Sequence, residues 1–191
     1  MSVVEQGRPL TPAAQRVLDV AGTLFYERGI GGVGMELIAA EAGVTKKTVY
    51  DRFGSKEALI VAYLRTRDRR WRAFVTERVT AAPGPRAGIL ATYEALDTWQ
   101  RRHNARGCSM VNACAELPDP EHPVHRVAAE EKAWLRDVYR RLVTEARYDD
   151  PESLADRLLI LHEGAIVTYS IGGLPDSARI ARDTADALLP R

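Results

Sequence analysis

A short polar stretch in the first third of the chain combines ammonium, guanidinium, hydroxyl and phenol groups. These side chains belong to Lys46, Lys47, Thr48, Tyr50 and Arg52. Proteins use such groups to bind phosphate oxygens and to read the edges of bases. If they lie on a helix, that helix can enter the major groove of a DNA duplex. The alternative is that they form the solvated outer face of an ordinary helical hairpin.

The residues before this stretch predict a helix that ends in a tight turn. Ile38, Ala39 and Ala42 recur at helical spacing and give this helix one apolar face. Gly43 follows directly, at the position where helices commonly end on a left-handed residue. Thr45 is then a good N-cap for a second helix. The pattern therefore predicts two short helices joined by a tight turn.

The second helix has a predicted inward face and a predicted end. Val49 and Phe53 are four residues apart, so they lie on the same side of the helix. Gly54 ends this helix, and Ser55 can cap the next one, where the helix dipole favours Glu57 in the first turn. Together these features predict a helix-turn-helix with cations and hydroxyls outside. They favour DNA binding over the plain hairpin.

The sequence G-V-T-K-K-T-V-Y-D-R-F-G-S-K-E-A-L, residues 43–59, resembles the DNA-binding signature of tetracycline-repressor-like (TetR family) transcriptional regulators. The close resemblance covers about residues 11–60, and the remainder is similar to the family in length and helical pattern. It implies that the second helix faces DNA and that Lys56 contacts a phosphate. The predicted DNA-binding residues are Thr45, Lys46, Lys47, Thr48, Tyr50, Arg52 and Lys56.

One departure from the family pattern lies at the start of the first of these two helices. The family usually has Thr or Ser as the cap there, and that hydroxyl often touches phosphate. This chain reads Val33-Gly34-Met35 and offers no side-chain cap. Glycine can cap a helix at little cost, so the helix is still expected, without the hydroxyl contact.

The composition is typical of a packed, soluble protein. The 191 residues could form one domain or two small ones, with 46% hydrophobic and 28% charged residues. The net charge of +1 excludes the bulk basicity of a non-specific nucleic-acid coat. No run predicts a membrane span, the N-terminus has no apolar signal core, and the cysteines Cys108 and Cys114 fit a reducing compartment. We therefore expect a cytoplasmic protein without membrane contact.

Helical periodicity extends through most of the chain, and no strand pattern is present. A loose arm is predicted over residues 1–9, and Ala82-Pro83-Gly84-Pro85 reads as a linker. Besides the helix-turn-helix, helices are predicted over residues 12–28, 55–82, 85–103, 108–116, 124–146, 151–171 and 175–189. The predicted fold is all-α, with a three-helix DNA-binding head, residues 1–54, and a C-terminal effector-binding and dimerisation domain, residues 55–191.

The helix predicted from Ser153 to Ile171 is apolar nearly all round, which indicates burial on several sides. A second copy of the chain could cover one of those sides. The family resemblance implies that this helix and the last one form a four-helix interface in a homodimer. The predicted interface residues are Leu158, Leu161, Gly164, Ala165, Thr168, Ala181 and Leu188. A two-fold dimer presents two recognition helices, so the operator should be a palindrome.

Large aromatic side chains and a few polar ones occur between residues 85 and 171. Mostly apolar walls with sparse polar groups describe a small-molecule pocket, and the family resemblance places an effector in this part of the fold. The predicted ligand-binding residues are Tyr93, Trp99, His103, Met110, Asn112, Trp134, His162 and Tyr169. No buried cluster of one charge sign is evident, so we expect an uncharged or weakly charged, partly aromatic or lipophilic ligand. The alternative is that these residues only fill the core.

Signatures of enzymes and metal sites are missing from the sequence. There is no hydrolase elbow, phosphate loop or dinucleotide fingerprint, and Cys108 and Cys114 lack C-x-x-C spacing. His122 and His125 are separated by Pro123 and have no completing ligands. We therefore expect no metal, cofactor or catalytic residue. The leading hypothesis is a ligand-responsive repressor that acts as a homodimer on DNA; the alternatives are a small all-helical enzyme or a helical binding module.

Overall fold

The computed structural model describes residues 10–103 and 105–190, and all regular secondary structure in these ranges is helical. The helices are α1 (Pro12–Arg28), α2 (Met35–Glu41), α3 (Lys46–Phe53), α4 (Lys56–Ala81), α5 (Pro85–His103), α6 (Ser109–Glu116), α7 (Pro123–Glu145), α8 (Pro151–Ser170) and α9 (Ser177–Leu188). The predicted all-α fold is confirmed. The arm predicted over residues 1–9 lies outside the described residues. Within them, no helix combines the length and apolarity that a bilayer crossing requires.

The chain divides into two compact units. The first comprises the residues up to Asp68 together with Ser109–Ala128, and the second comprises Arg69–Cys108 together with the residues from Ala129 onwards. Helices α4 and α7 each contribute residues to both units. The domain boundary after residue 54, which the sequence suggested, stays a prediction.

The first unit is built around α1, α2 and α3, which pack against one another. Thr11 caps α1, since its Oγ1 accepts the Ala14 N–H at 3.3 Å, and Pro12 occupies the first helical turn. The apolar stripe of α1 includes Val17, which is fully buried together with Ile38 of α2. Helix α3 packs on α1 and α2 through one face only, the face that carries Val49 and Phe53.

The second unit has its core between α5, α8 and α9, which pack pairwise. Tyr93 of α5 and Leu158 of α8 are fully buried in this core. Arg86, at the start of α5, holds the end of α9: its guanidinium donates to the Asp186 carboxylate at 2.7 Å and to the Leu189 carbonyl at 3.2 Å. A cation is favourable there because the C-terminal end of a helix carries partial negative charge.

Candidate functional site

The turn between α2 and α3 has the geometry that the sequence predicts. Gly43 adopts a φ of +65°, a left-handed conformation that is unfavourable for residues with a β-carbon. The Val44 N–H donates to the Ala39 carbonyl at 3.0 Å, which closes α2. Thr45 caps α3, because its Oγ1 accepts the Thr48 N–H at 3.1 Å. These local bonds set the direction in which α3 leaves the turn.

The rotation of α3 about its axis is set by two buried side chains. Val49 and Phe53 are both fully buried against the rest of the first unit. The other side of α3 is consequently directed outward. The side chains exposed there are Thr45, Lys46, Lys47, Tyr50 and Arg52, and Thr48 is half-buried. Six of the seven residues predicted to bind DNA therefore lie on one short helix and its cap.

Lys56, the seventh predicted residue, lies at the start of α4 and is half-buried. Its Nζ donates to the Ile30 carbonyl at 2.6 Å, beyond the end of α1. An ammonium group has three donors, so this bond leaves donors for a phosphate oxygen. Lys56 thus holds the segment before α2 while it keeps the chemistry of a phosphate ligand.

Both lysines of α3 have carboxylate partners in the DNA-free protein. Lys46 forms an ion pair with Glu36 of α2, and Lys47 pairs with Asp51 at 2.7 Å. The hydrogen bond from Lys46 lowers the pKa of the Glu36 carboxyl. Exposed ion pairs of this kind are weak, so a phosphate can replace the carboxylate as the partner of each lysine.

Replacing Glu36 by glutamine should strengthen DNA binding roughly two- to fivefold, the scale of one exposed ion pair. The change removes a negative charge beside the DNA-facing surface and releases Lys46. Glu41→Gln, at another exposed position of α2, is the matched control, because this carboxylate lies at the other end of the helix. Affinity measured by fluorescence anisotropy would contradict the prediction if both variants bound alike.

The start of α2 lacks a side-chain cap, as the sequence predicts. Gly34 is the N-cap and makes no side-chain hydrogen bond. The hydroxyl that the family usually places there is therefore missing, and α2 is held instead by burial of Met35 and Ile38.

Comparisons with known proteins agree with this geometry. Residues 17–63 match the family model of bacterial regulatory proteins of the tetR family. The structure is similar to SCO4454, a TetR-family transcriptional regulator from Streptomyces coelicolor, with 31% identity, a TM-score of 0.86, and coverage of 94% of this chain and 96% of that one. This chain belongs to the TetR family. As a TetR-family regulator it binds DNA, and it is not an enzyme.

Curated relatives of this chain are named as HTH-type transcriptional regulators. HTH-type transcriptional regulator YjdC of Escherichia coli K12 is 28% identical over 176 residues, which cover 87% of this chain and 90% of that protein. HTH-type transcriptional repressor KstR2 of Rhodococcus jostii is 32% identical over 85 residues, 42% of either chain. The family resemblance inferred from residues 43–59 is thereby confirmed.

A cluster of aromatic rings lies in the second unit of this TetR-family chain. His162 of α8 is at its centre, with ring centroids 5.8 Å from Trp71 and 5.6 Å from Tyr93. Trp99 lies 5.3 Å from Trp71. The Tyr139 phenol oxygen is 2.9 Å from Nδ1 of His162. Three predicted ligand-binding residues, Tyr93, Trp99 and His162, are therefore brought together.

The other predicted ligand-binding residues lie elsewhere. His103 is exposed, although its ring lies 4.6 Å from that of Trp99. Trp134 is half-buried beneath the Arg72 guanidinium, at 5.1 Å, and Tyr169 is also half-buried. Met110 and Asn112 are on α6, within the first unit. Among the residues that sequence reasoning did not assign to the site, Trp71, Gln100 and Tyr139 belong to this cluster or border it.

The residues predicted for the dimer interface also separate into two groups. Leu158, Ala165 and Ala181 are buried in the core of their own protomer, so their side chains are not available to a partner. Leu161 and Thr168 are half-buried, whereas Gly164 and Leu188 are exposed. The structure instead exposes the apolar residues Ile160 and Val167 on one side of α8, and Ile171, which caps the C-terminal end of that helix.

Burial keeps the imidazole of His162 neutral, because it lowers the pKa of this side chain. Desolvation, together with the nearby charge of Lys132, lowers the pKa of His162 to about 3. The unfolded chain, with an ordinary pKa near 6.5, therefore binds a proton that the folded chain does not between these two values. The free energy of unfolding consequently decreases as the pH falls below about 6.5.

His162 alone should cost the native state about 2 kcal/mol on going from about pH 7.5 to about pH 5. Urea unfolding of His162→Gln at fixed protein concentration should show a pH dependence smaller by this amount, because glutamine does not titrate. An identical pH dependence in the two proteins would contradict the prediction.

Proposed function

We propose that this protein is a homodimeric, effector-responsive repressor that binds a palindromic operator through α3. The observation that carries the proposal is the outward face of α3, where cations, hydroxyls and a phenol are held by Val49, Phe53 and the Thr45 cap. A repressor role is supported by one relative, which is itself named a transcriptional repressor. Access to the operator also requires a cytoplasmic location.

The dimer is supported by exposed apolar residues on α8. Ile160 is 70% exposed, Val167 52% and Ile171 85%. The spacing of seven residues places Ile160 and Val167 on one side of α8, and Ile171 follows directly after the end of this helix. Gly164 lies between Ile160 and Val167, and a β-carbon there would meet no atom within 4 Å. These residues form an apolar strip on α8. Because Gly164, near the middle of the strip, has no side chain, a second helix can approach the backbone closely there.

Helix α9 packs against α8 and also carries exposed apolar residues. Ile180 and Leu188 are exposed on α9 at 48% and 41%. Exposed apolar residues on two neighbouring helices favour an interaction site there. A second copy related by a two-fold axis would cover both helices with its own α8 and α9, which gives a four-helix interface.

Dimerisation determines the form of the operator. Two copies of α3 related by a two-fold axis bind two half-sites of opposite direction, one helical turn or somewhat more apart. We assign DNA binding to residues 1–54, and effector binding and dimerisation to residues 55–191. In this scheme the effector acts through its different affinity for the DNA-binding and released states.

Selection of binding sites from random-sequence DNA tests the proposal. The purified full chain should enrich an inverted repeat, and the enriched sequence should bind two chains. Enrichment of a single, non-palindromic half-site, or of no sequence, would contradict a two-fold operator complex.

A further inference from the structure

We propose that the effector is a neutral aromatic molecule with O–H or N–H donors, which His162 and Gln100 bind through unprotonated acceptor atoms. The proposal rests on the effector-responsive part of the proposed function and adds the chemical class of the ligand. It depends on a hydrogen-bond chain that assigns every proton around His162, on the orientation of the Gln100 amide, and on the aromatic rings beside them.

The hydrogen-bond chain begins at Thr92. Its Oγ1 lies 2.7 Å from the Ile89 carbonyl, which can only accept, so the threonine proton is directed there. The Tyr139 phenol oxygen lies 2.8 Å from the same Oγ1 and must therefore donate to it. Nδ1 of His162, 2.9 Å from that phenol oxygen, must then carry a proton and donate it. Since the buried ring is neutral, its Nε2 is an unprotonated acceptor.

This Nε2 is buried and has no hydrogen-bond partner among the described residues. Buried polar atoms in proteins are nearly always paired. An acceptor that is left unpaired inside an aromatic cluster favours a molecule that brings a donor to it.

Gln100 supplies a second acceptor of the same kind. Its Nε2 donates to the Ala165 carbonyl at 3.1 Å, and because a carbonyl only accepts, the amide nitrogen must face Ala165. The amide oxygen is therefore directed elsewhere, and within the part of the chain that the structure describes it has no partner. Ala165 follows His162 by about one helical turn, so Gln100 of α5 is held against the stretch of α8 that carries His162.

The surroundings of His162 are aromatic. The ring of Trp71 lies 5.8 Å from His162 and 5.3 Å from Trp99, and the ring of Tyr93 lies 5.6 Å from His162. Centroid separations of this size are those of packed aromatic pairs. A flat aromatic ligand can make the same contacts with these rings.

The charge distribution selects a neutral ligand. A carboxylate has no donor for two acceptors, so it is excluded by hydrogen bonding. The ammonium of Lys132 lies near the cluster and is paired with Glu163 at 2.8 Å and Glu131 at 2.9 Å. Its positive charge also disfavours a proton on His162. An ammonium ligand would meet the same repulsion, which leaves a phenol, an indole or a similar neutral donor.

Two matched pairs of probes test the role of the donor. We would compare 2-naphthol with 2-methoxynaphthalene, and phenol with anisole, with 2-naphthoate as the anionic probe. Binding would be measured by thermal shift and by quenching of tryptophan fluorescence. Each hydroxyl compound should bind about tenfold or more tightly than its methyl ether, the scale of one unsatisfied buried acceptor, and naphthoate should bind more weakly still.

Gln100→Met removes one acceptor and keeps a side chain of similar length. The Ala165 carbonyl would remain paired, because Ser177 Oγ also donates to it at 2.8 Å, so the variant should fold. Its affinity for 2,3-dihydroxynaphthalene, whose two O–H donors can serve both acceptors, should fall about tenfold, while its affinity for 2-methoxynaphthalene should stay unchanged. Arg141→Gln, an exposed change on α7, serves as the control and should affect neither probe.

Equal binding of each hydroxyl compound and its ether, tighter binding of naphthoate, or no binding of any probe would overturn the proposal. The same preparations would be measured for operator binding. If they bind the operator and lack the donor preference, only the ligand assignment fails. If they prefer the donor and do not bind the operator, the proposed regulatory function fails instead.

Discussion

Replacing Lys47, Tyr50 and Lys56 together by alanine should reduce operator affinity at least about 100-fold, because three phosphate-directed groups are lost at once. Lys47 and Tyr50 are exposed on α3, and Lys56 lies at the start of α4. None of the three is part of the apolar core of the first unit. The variant should therefore keep its helical circular dichroism while it loses DNA binding in fluorescence anisotropy.

The single changes should distinguish residues that contact phosphates from residues that contact base edges. Lys56→Ala should weaken binding about equally on all sequences and reduce the salt slope by roughly one unit. Lys47→Ala or Arg52→Ala should change the preference at one base position by about 1–3 kcal/mol if either side chain contacts a base edge. Arg141→Ala, which removes an exposed cation of α7, is the control. Full operator affinity in the triple variant would show that α3 is not the DNA-binding element.

Replacing Val167 and Ile171 together by glutamate should convert the dimer into a monomer. Each copy would bring two carboxylates into the apolar strip of α8, and unpaired charges are very costly to bury. We expect the dimer dissociation constant to rise by about three orders of magnitude or more. Sedimentation velocity at micromolar concentration would measure the change, and operator affinity should fall with it because both half-sites are no longer bound together.

The double variant should still fold, because both side chains are mostly exposed in the protomer. Thr76→Glu, which adds a carboxylate at an exposed position of α4, is the matched control and should remain dimeric. Ala165→Arg, a substitution that the sequence alone suggests, would be a poor test, since Ala165 is buried and the change would disrupt the core. A dimeric Val167 and Ile171 variant, or a monomeric native protein, would contradict the proposed interface.

The helix-turn-helix could be predicted from the sequence because its determinants are local. Gly43 provides the left-handed turn and Thr45 the cap, and both act within a few residues of their own position. Val49 and Phe53 then define the buried side of α3 by helical spacing alone. The pairing of Lys46 with Glu36 was not predicted, because it depends on how α2 and α3 cross in space.

The faces of α8 could not be separated in the same way. Its residues are apolar nearly all round, so periodicity does not tell the side that faces α5 and α9 from the side that faces outward. The packed structure makes that distinction: Leu158 and Ala165 lie inside, and Ile160 and Val167 lie outside.

The aromatic cluster was predicted only in part, for a related reason. Its members come from separate helices, and their approach depends on tertiary packing. Gln100 was the available signal, because it is a polar residue seven positions after Tyr93 on the buried side of α5. The unpaired acceptors of His162 and Gln100 become visible only when the hydrogen bonds around them are known.

The most direct test of the account is binding of the full chain to the DNA upstream of its own gene. Fluorescence anisotropy would compare that DNA with unrelated DNA of equal length at physiological salt, and titration at high concentration would give the stoichiometry. We expect binding at least about 1,000-fold tighter to the upstream DNA, with two chains on each site. Equal affinity for the two DNAs, or a single chain on each site, would contradict a dimeric, operator-specific regulator.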